Sequence, residues 1–393
     1  MGRVSQRLSA ISESATMAIS AKAAALKAAG EDVVSFGAGE PDFSTPDHIV
    51  EAAIRAARDP ANHHYTAAAG LSELREAVTA NARTYSGIDS APSQVLITNG
   101  GKQAVYTAMA ALLDPGDEAL LPSPYWVTYP EAVSLTGAIP IQVPTTIDDG
   151  FKLTPELLER YRTPATKLLV FVSPSNPTGA VYSPAEVRAV GEWAAQSGVW
   201  ILTDEIYQRL VYGDARFTSL PGTVPELEDR WVVVNGVAKS YAMTGWRVGW
   251  LIGPPDVVAA SIRLQSHLTS NVSNISQRAA LSALTGPQQV VEEMRLGFDR
   301  RRRRMVEMMA QIDGVRCLEP QGAFYVFPDL GAFLGDRFPT TLDLAAWILD
   351  EAGVAIVPGE AFGAPGYARL SYALADDALE KGVDRMARAL ASL

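Results

Sequence analysis

The chain predicts an α/β fold: a large domain with a mostly parallel central sheet flanked by helices, plus a smaller α+β domain. Two observations carry this expectation. Between about residues 50 and 290, short apolar runs alternate with amphipathic helical runs. Strands that are apolar on both faces and separated by helices belong in a parallel sheet covered on both sides. Beyond 290, a long charged helical stretch precedes a second set of short strand-like runs, which requires a second, smaller body.

In order, the first 45 residues hold one helical run, "ATMAISAKAAALKAAG", ended by Gly30, and then "VVSFGAGEPDF". They are too short to fold alone and should pack on the small domain. Residues 46–290 form the expected large domain, and 1–45 with 291–393 the small domain and N-terminal arm. Strand candidates in the large domain are "QVLITN" (94–99), "EALLPS" (118–123), "KLLVFVSP" (167–174), "VWILTDE" (199–205), "WVVVNG" (231–236) and "GWLIG" (249–253). Helical runs such as "KQAVYTAMAALL" (102–113) and "PAEVRAVGEWAAQSG" (184–198) separate most of them. In the small domain a helix over roughly 288–312 is followed by strand candidates "VRCLEP", "AFYVFPDL", "VAIVPG" and "ARLSYAL".

Composition narrows the function. With 393 residues, 48% hydrophobic and 20% charged, the chain reads as a globular protein with a sizeable core. A net charge of -11 argues against nucleic acid, whose phosphates repel such a surface. The run Arg300 to Arg304 is no exception, because successive helical residues point about 100° apart and ring the helix as solvated or salt-bridged side chains. A single cysteine, Cys317, excludes a disulfide framework and a thiolate metal cluster. His48, His63, His64 and His267 have no carboxylate at metal-ligand spacing and should be structural or exposed, with no metal bound. The N-terminus lacks the apolar core of a signal peptide, and no run reaches the ~18 apolar residues of a membrane span. A cytoplasmic location with no membrane partner is the expectation.

Polar residues mark where the chemistry should lie. In an open parallel sheet, ligands bind beyond the carboxyl ends of the strands. Four predicted strands end there in groups a core has no use for: Gly100-Gly101, Asn176, Asp204 with Tyr207 three further on, and Lys239. Each alone has a plain explanation as a cap, a turn or a surface lysine. Together at one edge they read as a site. Glycines opening a helix bring N–H groups to an anion, although "GGKQA" lacks the spacing of a nucleotide-binding P-loop and suits a single phosphate ester. Arg247 adds a charged clamp. A lysine at the edge of an apolar pocket beside another cation becomes a usable nucleophile for a carbonyl. An aldehyde, a phosphate and a ring nitrogen facing a carboxylate point to pyridoxal 5′-phosphate.

"AGEPDF" (38–43), "SNPTG" (175–179), "TDEIY" (203–207), "AKSYAMTGWRVG" (238–249) and "ARLSYA" (368–373), in this order, resemble the class I aminotransferases of fold type I. "SATMAISAK", "TNGGKQA" and "SPYWVTYPE" look most like the bacterial and thermophile branch of aspartate aminotransferases. The resemblance implies that Lys239 bonds the cofactor and shuttles the proton, while Asp204 keeps the pyridine nitrogen protonated. Opposite charges in such a site attract by about 4 kcal/mol at an effective dielectric of 20. It further implies that Tyr207 and Asn176 bond the ring's phenolate oxygen and that Trp126 stacks on its face. Arg247, with the backbone at Gly100, Gly101 and Lys102, would hold the phosphate. Tyr65 would reach the phosphate of a neighbouring subunit, making the active protein a homodimer with shared sites. Arg369, helped by Asn176 and Gly39, would clamp the α-carboxylate of an amino acid or 2-oxo acid substrate.

Two departures bear on substrate. Relatives with a serine three places before the lysine have here Gly236, which removes one phosphate contact worth roughly 1 kcal/mol. The stretch "QSHLTSNVSNIS" (265–276) lacks the arginine with which one branch reads a distal carboxylate. The other branch uses a lysine where Lys102 stands, supported by hydroxyls where Ser14 and Thr16 stand. Aspartate-to-2-oxoglutarate transfer is therefore expected; Ser12, where prephenate-using relatives have lysine, argues against prephenate. Broader, aromatic or alanine-type specificity and a β-lyase on the same fold stay open as alternatives.

Overall fold

Leu168, Leu169 and Val170 on one strand, and Val232 and Val234 on another, are almost wholly buried. Strands without a polar face must be covered on both sides, and each such side chain contributes about 1.5–3 kcal/mol by leaving water. The computed structural model, which describes residues 3–9, 11, 12 and 15–393 (side chains at 6, 7, 15–17 and 20 lie outside that description), resolves this need with a seven-stranded sheet between helices. Across the sheet the order is Val95–Thr98, Gly249–Ile252, Trp231–Gly236, Trp200–Asp204, Thr166–Val172, Glu118–Ser123 and Ile139–Pro144. Gly249–Ile252 runs antiparallel to both neighbours and the others run parallel. The register sets Asp204 level with Val172, so these two strands finish together, and with Val234, two residues before its own strand ends.

All six strands predicted in this region form. The seventh, Ile139–Pro144, was not predicted, because Pro140 and Pro144 break a strand pattern. It lies at the sheet edge, where a missing N–H costs no ladder bond. The helix Pro184–Ser197 shows how local sequence fixes an element: Ser183 and Glu186 form a capping box, and Gly198 ends the helix in the left-handed conformation.

Toward the C-terminus the long helix Gln289–Met309 buries Phe298, Met305 and Met309 against Phe36, Phe324 and Tyr325. Short strands Tyr325–Val326, Val357–Pro358 and Ala368–Ser371 form an antiparallel sheet centred on Ala368–Ser371. Val34–Ser35 pairs with Val354–Ala355, tying the N-terminal segment to these elements. "VRCLEP" corrects the reading of a strand there: only a bridge between Arg316 and Asp329 forms. The arginine run is salt-bridged, within the expected reading, and partly buried. Arg301 and Arg302 are buried, and each is paired: Arg301 with Asp42 and Asp376, Arg302 with Asp299 and Glu319. Among the described residues no helix is long and apolar enough to cross a membrane.

Candidate active site

The carboxyl ends of five parallel strands open on one cavity of about 780 Å³. Gly101 and Lys102 reach it after Val95–Thr98, Trp126 and Tyr129 after Glu118–Ser123, and Asn176 after Thr166–Val172. Asp204, Tyr207 and Lys239 arrive from the two central strands. Arg247, Gly39 and Arg369 complete the wall from outside the parallel set.

Lys239 follows the strand Trp231–Gly236, and its ammonium donates to the Gly39 carbonyl oxygen. Protein surrounds the amine although the residue opens on the cavity. Burial, the neighbouring Arg369 and, less strongly, Arg247 push it down to about 8, so a much larger neutral fraction exists near neutrality than for an ordinary lysine. The cation that matters most is thus Arg369, where the sequence suggested Arg247.

Asp204 is enclosed. Its Oδ2 accepts from Tyr129 Oη at 2.8 Å and its Oδ1 from the Ile206 N–H at 3.1 Å. Burial nevertheless pushes the carboxyl up, and among the described residues it has no ion-pair partner. Tyr207 Oη lies 2.9 Å from Tyr325 Oη, and burial raises both phenols.

Arg369 is only 2% exposed. Its Nη1 donates to Asn176 Oδ1 at 3.0 Å and its Nη2 to the Gly37 carbonyl at 3.0 Å, while Nε is buried without a partner. The guanidinium carbon lies 4.5 Å from the Tyr325 ring centre and 5.1 Å from that of Phe362. Such stacking holds the fork in place but does not neutralise it. The Gly39 backbone, expected to assist Arg369 in holding the α-carboxylate, lies beside the guanidinium, a Cβ there standing 3.9 Å from Arg369 Nη2; its carbonyl accepts from Lys239, and the Gly37 carbonyl accepts from Arg369.

The phosphate-like end is built from backbone. The helix Gly101–Leu112 has no side-chain cap, which leaves first-turn N–H groups facing the cavity. A Cβ at Gly100 would stand 2.5 Å from Arg247 Nη2, and Gly100 has φ +81°, so only glycine lets arginine and backbone meet. Arg247 itself has φ +56°, a strained choice for a long side chain, and donates to the Thr244 and Asn99 carbonyls. Lys102 Nζ lies 5.2 Å from the Trp126 ring centre, its pKa lowered by burial and by Arg247. Gly236 has no room for the serine of some relatives: a Cβ there would meet Val248 O at 2.9 Å.

Of the expected residues, Tyr65 and Gly100 do not line the cavity; Tyr65 is 90% exposed. Ser14 and the Thr16 side chain lie outside the described residues. The sequence reading missed Tyr325, Tyr129 and Glu40. Tyr325 sits in an aromatic strand run that reads as core, and Tyr129 lies one helical turn after Trp126, the only signal that could have found it.

Comparison with known proteins agrees with this geometry. The family aminotransferase class I and II matches residues 31–386. An aspartate aminotransferase of Streptomyces avermitilis is 58% identical, over 99% of this chain and 96% of its own. The crystal structure of an aspartate aminotransferase from Rhizobium meliloti superposes with a TM-score of 0.95 at 39% identity, covering 100% and 99% of the two chains. That of a Thermus thermophilus aspartate aminotransferase with maleate gives 0.94 at 40% identity, covering 99% and 100%. Matched almost from end to end, the chain belongs to the class I and II aminotransferases.

Proposed function

We propose that this aminotransferase moves the amino group of L-aspartate to 2-oxoglutarate in two alternating half-reactions, with pyridoxal 5′-phosphate as the carrier. The observation that carries the reading is Arg369, a buried guanidinium with a free Nε and, among the described residues, no acid paired with it, in the same cavity as the Lys239 amine. An unpaired buried cation is costly unless a ligand brings the anion.

The donor set fits the cofactor. Asp204, enclosed and with no ion-pair partner among the described residues, suits a protonated ring nitrogen. The uncapped helix at Gly101 and Lys102, the Gly100 turn and Arg247 suit a phosphate ester, and Trp126 suits a ring face. Bound there, the group supplies an aldehyde and a ring that takes up the electrons of the substrate α-carbon. The protein's residues do the rest. Lys239 Nζ, neutral in growing fraction toward pH 8, takes the α-proton. Arg369 grips the α-carboxylate with its planar fork. Asn176, whose Oδ1 serves Arg369, keeps its amide N–H groups to donate, and Tyr207 adds its hydroxyl.

Lys102, bonded to no acid among the described residues, is the cation left to read a distal carboxylate. The names of the Streptomyces and Rhizobium relatives, and the maleate of the Thermus one, support a dicarboxylic substrate. We further propose a homodimer to which Tyr65 contributes across the interface, with residues 46–290 as the large domain and 1–45 plus 291–393 as the small one.

The test is a single half-reaction. L-Aspartate alone should shift the absorbance of the holoenzyme, and Lys239→Ala should abolish that shift. Lys102→Ala should cut the preference for aspartate over alanine by about tenfold or more, since a charged hydrogen bond is worth about 1.5–3 kcal/mol. An unchanged preference would remove the dicarboxylate reading and leave the reaction class standing.

A further inference from the structure

Among the described residues the cavity is lined by four cations, Lys102, Lys239, Arg247 and Arg369, and by two acids. Asp204 is buried among the strand ends, whereas Glu40 is exposed. The reading above gives every other charge an occupation and leaves Glu40 none. We propose that Glu40 binds the α-ammonium of the incoming amino acid, drawing it in while Arg369 takes the carboxylate. The proposal rests on the transaminase reading and deepens it.

Position supports this role. The residue before it, Gly39, accepts from Lys239 Nζ, and a Cβ at Gly39 would stand 3.9 Å from Arg369 Nη2 and 3.6 Å from Tyr325 Oη. The backbone entering Glu40 therefore passes both the amine that reacts and the guanidinium that grips. The carboxylate's charge is felt at Lys239, where it favours protonation more than Asp204 does, and at Tyr325. A substrate ammonium brought to Lys239 enters the same field. Glu40 is also held in place: its Oε2 accepts from Thr244 Oγ1 at 2.7 Å, while Oε1 has no hydrogen bond among the described residues. One oxygen is anchored and one is free, as a binding group requires.

The chemistry of the two half-reactions supplies a test that a merely structural role would not pass. An amino acid carries an ammonium and a 2-oxo acid does not. In the holoenzyme, Glu40→Gln should raise the Kd of 2-methylaspartate, which carries the ammonium but has no α-proton to lose, about fivefold, the range of an exposed charge pair. The inhibition constant of a 2-oxo acid against the same form of the enzyme should hold or tighten, because a negative charge facing a dianion is gone. Equilibrium binding of succinate, a dicarboxylate without an amine, should likewise hold or tighten. The loss with amino acids should shrink in about 0.5 M salt, where exposed charges are screened, and Glu40→Asp should recover part of it. Equal losses of affinity for the amine-bearing and the amine-free ligands, or none for either, would overturn the proposal. A wild-type holoenzyme inert to every amino acid would instead overturn the transaminase reading beneath it.

Discussion

Glu205 follows Asp204 in the chain but belongs to a different buried cluster. Its carboxyl accepts from Ser86 Oγ at 2.7 Å and Ser219 Oγ at 2.5 Å, and burial, reinforced weakly by Asp204, pushes it up to about 7. The native protein thus holds a proton there that the unfolded chain releases near pH 4.5. The stabilisation linked to that proton is complete below pH 4.5 and is lost as pH rises through about 7. Glu205→Gln keeps the volume and cannot ionise. Its stability relative to wild type should therefore improve by about 1–3 kcal/mol between pH 5 and pH 8. Urea midpoints at the two pH values measure this, and an equal difference at both would mean the carboxyl titrates normally. Lys239 has the opposite linkage. Its amine is depressed to about 8 from 10.5, so the unliganded protein gains stability as pH rises between those values and carries the full cost of the buried charge below 8. Lys239→Met should remove that cost, and the variant's advantage over unliganded wild type in urea should fade as pH rises from 8 toward 10.5.

At the scale of elements, the segment from Gly37 to Thr45 is tied to the site at nearly every step. Arg369 bonds the Gly37 carbonyl, Lys239 the Gly39 carbonyl and Thr244 the Glu40 carboxylate. Thr45 donates to Ala242 O and accepts from Trp246 Nε1. Its outer anchor is Arg301 on the long helix, bonded to Asp42 and to Asp376, each at 2.7 Å, while Phe43 packs edge-on against Phe298. Arg301→Met keeps much of the side-chain volume and frees Asp42. Both acids retain some access to water, so the cost should be about 1–3 kcal/mol, below that of a fully buried pair. KM for amino acids should rise with it, and a stability loss with unchanged KM would show that the inner bonds alone hold the segment. This segment also marks how far the sequence is legible. The parallel sheet and the groups at its strand ends could be read because apolar runs and the polar residues after them are local signals. The edge strand with Pro140 and Pro144 was hidden by residues that oppose its own pattern. Tyr325 and Glu40 were hidden for another reason: nothing near them in sequence says that a distant strand and an N-terminal loop meet at one amine.

For the whole molecule, the telling residue is Tyr65. Its ring is 90% exposed, yet the chain on either side is held firmly by Asn274, which bonds Asn62 O at 3.2 Å, His64 O at 2.7 Å and Thr66 Oγ1 at 2.7 Å. We propose that this exposed, well-anchored aromatic residue is a contact for another surface. If that surface is the site of a second copy, two damaged subunits can repair each other. Lys239→Ala leaves a subunit with no reacting amine but a sound Tyr65, whereas Tyr65→Ala leaves the amine sound and removes the phosphate contact. Reassembled together, half of the dimers are mixed, and each mixed dimer has one site with Lys239 from one subunit and Tyr65 from the other, both intact. About a quarter of all sites should then work at limiting cofactor concentration, where Tyr65→Ala alone is nearly inactive. Were Tyr65 to serve its own subunit, every site in the mixture would carry one defect, and activity would never exceed that of the parents. The mixing experiment therefore separates a shared site from a self-contained one without needing the interface to be seen.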